Sequence, residues 1–177
     1  MAFNTDLSEN VQIVSAFPVQ DLNSDATGDW VSLKNYDGCL VVFHKNAGTA
    51  GDDPSLLTEQ ATDVSGTGAK ALNFTRLKAK VGATALSAVG QFTTYTFTAT
   101  NDLDLVLVGG TDLAADTGEA LCVLNFRASD LDVSGGFDCL RVSIEGDDIG
   151  NSVYGAAYYI LYNARYPDAT LASAIAD

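Results

Sequence analysis

Short apolar runs separated by turn residues are the feature of this sequence that most constrains its fold. From residue 29 to residue 167 the turn signals recur about every 8 to 15 residues. Several of the runs alternate apolar and polar residues with the period of two that is typical of a half-buried strand. No segment shows the period of a long amphipathic helix. The pattern predicts an all-β protein, built as a single-domain β-sandwich with about eight to ten strands. A jelly roll is one form that such a sandwich takes.

Three of the runs indicate how the strands are arranged. The run CLVVFHK is apolar on both faces, which is typical of a central strand. The dipeptide Asp37–Gly38 just before it is a hairpin turn signal. The runs ALCVLNFRA and FDCLRVSIE each place an apolar set on one face and so predict core-facing residues. These residues are Cys122, Leu124 and Phe126 in the first run, and Leu140, Val142 and Ile144 in the second.

The two ends of the chain differ from the strand-rich middle. Residues 1–28 are polar apart from the patch VQIVSAFPV, and they predict an N-terminal arm or edge segment whose strand ends at Pro18. Residues 29–167 form the predicted sandwich domain, and residues 168–177 form a C-terminal tail that makes a turn of helix or frays. The opening MAFNTDLSEN has neither the basic nor the apolar region of a signal peptide.

Composition narrows the class of protein. The 177 residues suit one domain, and 47% of them are apolar, which argues against disorder. No apolar run is long enough to span a membrane, so no membrane partner is expected. Cys39, Cys122 and Cys139 are an odd set without metal-binding spacing, so we interpret them as reduced thiols of a protein made in a cytoplasm.

Charge is distributed unevenly along the chain. A net charge of −14 argues against nucleic acid as a partner, because both surfaces are anionic. Residues 64–101 contain no acid and four cations, whereas the remainder holds 23 acids and 5 cations and is at −18. These four cations predict a docking surface for an acidic partner; the alternative is that they pair with acids on neighbouring strands. They are Lys70, followed by Arg76, Lys78 and Lys80 on one face of the run ALNFTRLKAKVG, a face that Phe74 shares.

The stretch SDLDVSGGFD begins like a calcium loop. Asp130 and Asp132 have the spacing of the first two ligands, but the twelfth position holds Arg141, where such a loop needs a closing glutamate. A calcium site of another geometry would use Asp130, Asp132 and Asp138. The missing glutamate favours the other interpretation, a turn in which Gly135–Gly136 supply positive φ angles.

Residues for catalysis are sparse, so no enzymatic activity and no cofactor are expected. His44 is the only histidine and lies at a strand end, typical of a packed or rim residue. The chain lacks a G-x-S-x-G elbow and a complete phosphate loop. The carboxylate pairs Asp52–Asp53 and Asp147–Asp148 lie in predicted loops, where solvated turns are the ordinary explanation.

Tyrosines cluster near the C-terminus. Tyr154, Tyr158 and Tyr162 share one face of a strand, where they pack in the core, stack on sugar or lie in a subunit interface. Core packing is the interpretation that we expect here.

Several blocks of the chain resemble small virion proteins of tailed bacteriophages and prophages. The similarity runs through DWVSLKNYDGCLVVFHKNAGTAGDDPSLLTEQATDVSGTGAKALNFTR, VGATALSAVGQFT, FRASDLDVSGGFDCLRVSI and GAAYYILYNARYP, and covers most of residues 29–167. The chain is most similar to head decoration, or cement, proteins, and its motifs are structural rather than chemical.

The resemblance implies a structural protein on the outer surface of a capsid, where it stabilises contacts between capsomers. Its implied partners are the major capsid protein and further copies of itself, as a trimer or a dimer. Its implied location is the virion, after synthesis in the cytoplasm of a bacterial host. Two alternatives stay open, namely a tail or head–tail joining protein and a carbohydrate- or calcium-binding β-sandwich module.

Overall fold

Two antiparallel β-sheets account for most of the chain in the computed structural model, which describes residues 10–49, 54–82, 85–104, 118–146, 151–165 and 171–176. The strands in these ranges are β1 (Val11–Asp21), β2 (Ala26–Thr27), β3 (Val31–Ser32), β4 (Tyr36–Lys45), β5 (Ser55–Ala61), β6 (Lys70–Ala71), β7 (Phe74–Val81), β8 (Thr93–Thr100), β9 (Asp102–Asp104), β10 (Ala120–Arg127), β11 (Cys139–Glu145) and β12 (Tyr154–Ala164). Short 3₁₀ turns cover Leu86–Ala88, Ala128–Asp130 and Val133–Gly135. Within these ranges we find no helix with the length and apolar character of a membrane span.

The first sheet has the strand order β1-β12-β4-β10-β7-β8, and the second has the order β2-β11-β5-β6. Strand β3 also pairs with β11, and β9 pairs with β5. The prediction that CLVVFHK is a central strand is confirmed, because β4 pairs with β12 on one side and with β10 on the other.

The core lies between the facing surfaces of the two sheets. Alternate residues of β4, β7 and β10 point inward from the first sheet, and alternate residues of β5 and β11 point inward from the second. Examples that are at most 2% exposed are Val41, Phe43, Leu77, Cys122, Leu124, Phe126, Leu56, Leu140, Val142 and Ile144. Removing these side chains from water is the main favourable contribution to folding. The predicted all-β sandwich and its core-facing sets on β10 and β11 are therefore confirmed.

One buried tyrosine joins the two sheets. The Tyr159 hydroxyl on β12 accepts a hydrogen bond from the Val142 amide on β11 and donates one to the Asp29 carbonyl, both at 2.9 Å. Burial raises the pKa of Tyr159 far above its usual value, so the hydroxyl stays protonated. The hydroxyl thereby satisfies polar groups that would otherwise be unpaired in the core.

The hairpin predicted at Asp37–Gly38 is wrong, because both residues lie inside β4. The chain turns just before them, where the Tyr36 amide donates to the Leu33 carbonyl at 3.1 Å. Glycine is needed at position 38 for a steric reason and not for a turn. A Cβ atom there would lie 2.4 Å from the Tyr162 hydroxyl oxygen and 2.7 Å from the Phe126 carbonyl oxygen, so glycine leaves room for the Tyr162 side chain.

The N-terminal strand is longer than the sequence predicts. β1 continues through Pro18 to Asp21 and is the edge strand of the first sheet, so the expectation that it ends at Pro18 is wrong. Proline has no amide to donate, and an edge strand tolerates this, here with register shifts between Ser15 and Gln20. Phe17 belongs to the core, and residues 1–9 lie outside the described residues.

The C-terminal segment packs onto the sandwich. Ala174 is 1% exposed, and its carbonyl accepts a hydrogen bond from the Ser32 amide at 2.8 Å. The Tyr36 hydroxyl donates to the Ala172 carbonyl. Residues 171–176 therefore lie against the domain without the helical turn or fraying expected of the tail, whose residues 168–170 and Asp177 are outside the described part.

Candidate partner-binding face

The stretch that begins like a calcium loop is a compact turn fastened by Asp132. One carboxylate oxygen of Asp132 accepts hydrogen bonds from the Ser134 hydroxyl at 2.8 Å and the Gly135 amide at 3.0 Å, and the other contacts the Lys70 ammonium at 2.6 Å. The Lys70 ammonium and these hydrogen bonds lower the pKa of Asp132 from 3.8 to about 2. Gly136 closes the turn with a φ angle of 83°.

The other two aspartates of the calcium hypothesis point to different partners. Asp130 accepts a hydrogen bond from the Arg127 amide at 2.7 Å and so fastens the preceding 3₁₀ turn. Asp138 accepts one from the Cys139 thiol at 3.2 Å. Among the described residues, no cluster of three or more histidines, cysteines and carboxylates has metal-binding geometry. The structure thus places Asp130, Asp132 and Asp138 in one turn without bringing their carboxylates together.

The four predicted docking cations separate into two groups. Lys70 lies on β6 of the second sheet, where its ammonium contacts Asp132 and also lies 3.8 Å from the centre of the Phe137 ring. Arg76, Lys78 and Lys80 lie on β7 of the first sheet, opposite the buried residues of that strand. Lys70 therefore fastens the turn, and only the three β7 cations share a surface.

The surface that carries these cations is the side of the first sheet that faces away from the core, and we name it the outer face. Strand pairing fixes which side chains lie next to each other on it. One row across the sheet runs through Tyr158, Val42, Val123, Lys78 and Thr94. In the next row His44 pairs with Leu121, and Leu121 with Lys80. Lys78 and Lys80 thus each have an apolar residue of β10 beside them.

None of Arg76, Lys78 and Lys80 forms an ion pair with a described carboxylate. On β8, Arg76 and Lys78 pair with threonines, and on β10, Lys78 and Lys80 pair with Val123 and Leu121, so none of these register neighbours is an acid. Lys80 instead lies 4.8 Å from the centre of the Phe92 ring, which is a cation–π contact. The alternative in which these cations pair with acids on neighbouring strands is not seen among the described residues.

A groove of about 1080 Å³ runs along the outer face over β10. Its floor and walls carry apolar residues of β4 and β10, cations of β7, and the Phe92 side chain, which is 43% exposed. The lining includes Leu40, Val42, Arg76, Lys78, Leu121 and Val123.

Phe74 lines the groove together with Arg76 and Lys78, but unlike them it is buried. It is 8% exposed and packs edge-on against Phe97 and Phe126, with ring centroids 5.4 Å and 6.2 Å away. The β7–β8 register is irregular between Phe74 and Arg76, and this irregularity interrupts the strict alternation of faces.

Two of the three tyrosines expected to pack in the core, Tyr154 and Tyr158, are exposed instead. Tyr154 and Tyr158 are 49% and 41% exposed, and Tyr158 lies on the outer face with Ile160, which pairs with Ile13 of β1. The outer face is therefore largely apolar from the β1 edge to β10, whose outward row ends in the polar Asn125 and Arg127, and it is cationic on β7.

His44 occupies the rim of this face, as expected for a strand-end histidine. Its Nε2 atom lies 2.8 Å from a carboxylate oxygen of Glu119, whose other oxygen accepts a hydrogen bond from the Leu86 amide at 2.8 Å. The Leu86 amide and His44 lower the pKa of the Glu119 carboxyl. The pair holds the β7–β8 connection beside the start of β10. The carboxylate pairs Asp52–Asp53 and Asp147–Asp148 lie outside the described residues.

The apolar part of the outer face is a feature that the motifs and charges of the sequence do not predict. Its signal is present, because CLVVFHK and ALCVLNFRA are apolar on both faces, a property of strands covered on both sides. On the outer side Leu40, Val42, Leu121 and Val123 are only partly buried among the described residues. The sequence pattern therefore indicates a surface suited to burial against a partner.

Comparison of the chain with protein-family models, with curated proteins and with solved structures finds no match.

Proposed function

We propose that this chain is a structural protein of a tailed-phage virion, which binds the outer surface of the capsid and stabilises contacts between capsomers. The observation that carries the proposal is the outer face, where an apolar sheet surface adjoins three cations without described ion-pair partners on a strongly acidic chain. The resemblance to phage decoration proteins supplies the class of partner. The proposed location is the capsid surface, and no catalytic role is assigned.

The chemistry of the outer face suits an acidic protein surface. Burying the apolar residues favours association but does not fix the orientation of the partner. The cations select partners of opposite charge and fix that orientation. Like charge elsewhere on the chain disfavours nucleic acid and other copies in wrong orientations. The major capsid protein is the partner that we propose, together with a dimer or trimer of the chain itself.

The size of the outer face is sufficient for a specific contact. Six strands about 4.8 Å apart, each about 25 to 35 Å long, give a surface of roughly 25 Å by 30 Å. A standard protein–protein interface buries about 800 Å² per partner, which is comparable. Repetition on a capsid lattice would add avidity, so a modest affinity per contact is enough.

Re-binding to capsids tests the proposal. Purified capsid particles that lack the chain are mixed with wild-type protein or with the variant Arg76→Glu/Lys78→Glu/Lys80→Glu, and bound copies per shell protein are counted by quantitative mass spectrometry. We expect the variant to lose at least roughly tenfold in occupancy at low salt, because three attractions become repulsions.

The matched control is Lys34→Glu, the same reversal on an exposed residue in the turn before β4, away from the outer face. It should bind like wild type. Equal binding by the control and the triple variant, with both folded by circular dichroism, would contradict the assignment of this face.

A further inference from the structure

The lining of the groove on the outer face follows β10 over a length that suits an extended chain. Its centre line is the outward row of β10, from Leu121 through Val123 and Asn125 to Arg127. Six residue steps of a strand span about 20 Å, which is the length of about seven extended residues. The volume of about 1080 Å³ lies at the upper end for small-molecule pockets, so it suits a short peptide segment.

The two sides of this channel differ in chemistry. On the β7 side lie the Arg76 and Lys78 cations, of which Lys78 pairs in register with Val123. On the β4 side lie Leu40 and Val42, of which Val42 pairs with Val123 from the other direction. An extended chain above Val123 thus meets positive charge on one flank and apolar surface on the other. Near Arg127 the β4 flank is the Tyr162 side chain, whose hydroxyl donates to Asn125 at 2.9 Å.

Successive side chains of an extended segment point to opposite sides. A segment above β10 would therefore direct alternate residues toward the cations and the remaining residues toward Leu40 and Val42. The complementary sequence alternates acidic and apolar residues. Asp130 is the acid in the groove lining, and its carboxylate already accepts the Arg127 amide. The lining therefore presents net positive charge to a ligand.

We infer that the groove binds an extended segment of about seven residues, alternating acidic and apolar side chains, supplied by the capsid protein. The identity of the donor rests on the proposed function, whereas the chemistry of the segment rests on the groove alone. Such a segment docks through charge and side-chain burial over the face of the sheet.

Nuclear magnetic resonance on the whole 177-residue chain with labelled methyl groups tests this inference. The probe is a seven-residue peptide alternating aspartate and leucine. Two control peptides alternate lysine with leucine and aspartate with serine, and heparin is a third control, a polyanion without apolar side chains. We expect the probe alone to shift the methyl signals of Leu40, Val42, Leu121 and Val123, with a dissociation constant of roughly millimolar order.

Charge-reversal variants show which cations contribute to binding of the probe peptide. Arg76→Glu/Lys78→Glu should weaken probe binding roughly tenfold, and Lys34→Glu should leave it unchanged. No shift with the probe, shifts confined to other surfaces, or equal shifts with the aspartate–serine peptide or with heparin would overturn the inference. The last two outcomes would indicate a general anion surface.

A failure of the groove inference can be distinguished from a failure of the proposed function. Probe binding in the groove with no chain on virions would overturn the capsid as donor and leave the groove chemistry intact. Charge-sensitive capsid binding without probe binding would support the outer face and overturn the extended segment.

Discussion

The variant Tyr159→Phe tests whether the Tyr159 hydroxyl stabilises the packing of the two sheets. In Tyr159→Phe the buried Val142 amide loses its acceptor and the Asp29 carbonyl loses a donor, both bonds being 2.9 Å long. An orphaned buried polar group costs about 1–3 kcal/mol. We therefore expect a loss of about 2 kcal/mol in the free energy of unfolding, and a fall in melting temperature of about 4 to 8 °C for a chain of this size.

The matched control is Tyr158→Phe, the same chemical change on the adjacent residue. Tyr158 is 41% exposed on the outer face, and no described residue hydrogen-bonds its hydroxyl, so its loss should change stability by less than about 0.5 kcal/mol. Urea unfolding followed by circular dichroism measures both, with equal m-values as the check on comparable unfolding. Equal destabilisation by the two variants would refute the inter-sheet role of Tyr159.

Three further predictions concern other parts of the fold. Gly28→Ala should destabilise the chain by several kcal/mol in thermal unfolding, because its Cβ would lie 2.1 Å from a backbone oxygen, whereas Gly90→Ala, with nothing within 4 Å, should be nearly neutral. The Lys70 ammonium lowers the pKa of Asp132 to about 2, so the ionised carboxylate contributes stability above its unfolded pKa of 3.8 and loses this contribution as the pH falls through about 2. In urea unfolding, the difference in stability between wild type and Asp132→Asn should therefore narrow as the pH falls over that range. A difference that stays constant would contradict this role of Asp132. Burial raises the pKa of Cys122 to about 12, so a thiol reagent should react with the three buried cysteines only after denaturation, and rapid reaction of the native chain would be inconsistent with their burial.

The sequence predicts the sandwich because burial follows a period of two. The sets on β10 and β11, such as Leu124 and Val142, point to the core as their alternation indicates. Local sequence signals fail to predict the structure at positions where contacts with distant parts of the chain determine it. Gly38 forms part of a familiar turn dipeptide, yet its smallness is needed because Tyr162 packs against it from β12. Pro18 breaks an internal strand but is tolerated on the edge that β1 forms.

The candidate site was only partly predictable for the same reason. The spacing of Arg76, Lys78 and Lys80 predicts a shared face, but nothing in it shows that Lys70 contacts Asp132, 62 residues further along the chain. The groove depends on the register of three strands that are distant in sequence. Register across such strands is fixed by tertiary packing rather than by any local pattern.

Counting this chain in gradient-purified particles from the culture that produces it tests the central claim most directly. Quantitative mass spectrometry gives the number of copies per major capsid protein. We predict a ratio near one to one or a simple fraction such as about one to three, as expected for a lattice-bound decoration protein. A handful of copies per particle would indicate a tail or joining component instead, and absence from the particles would contradict a virion role altogether.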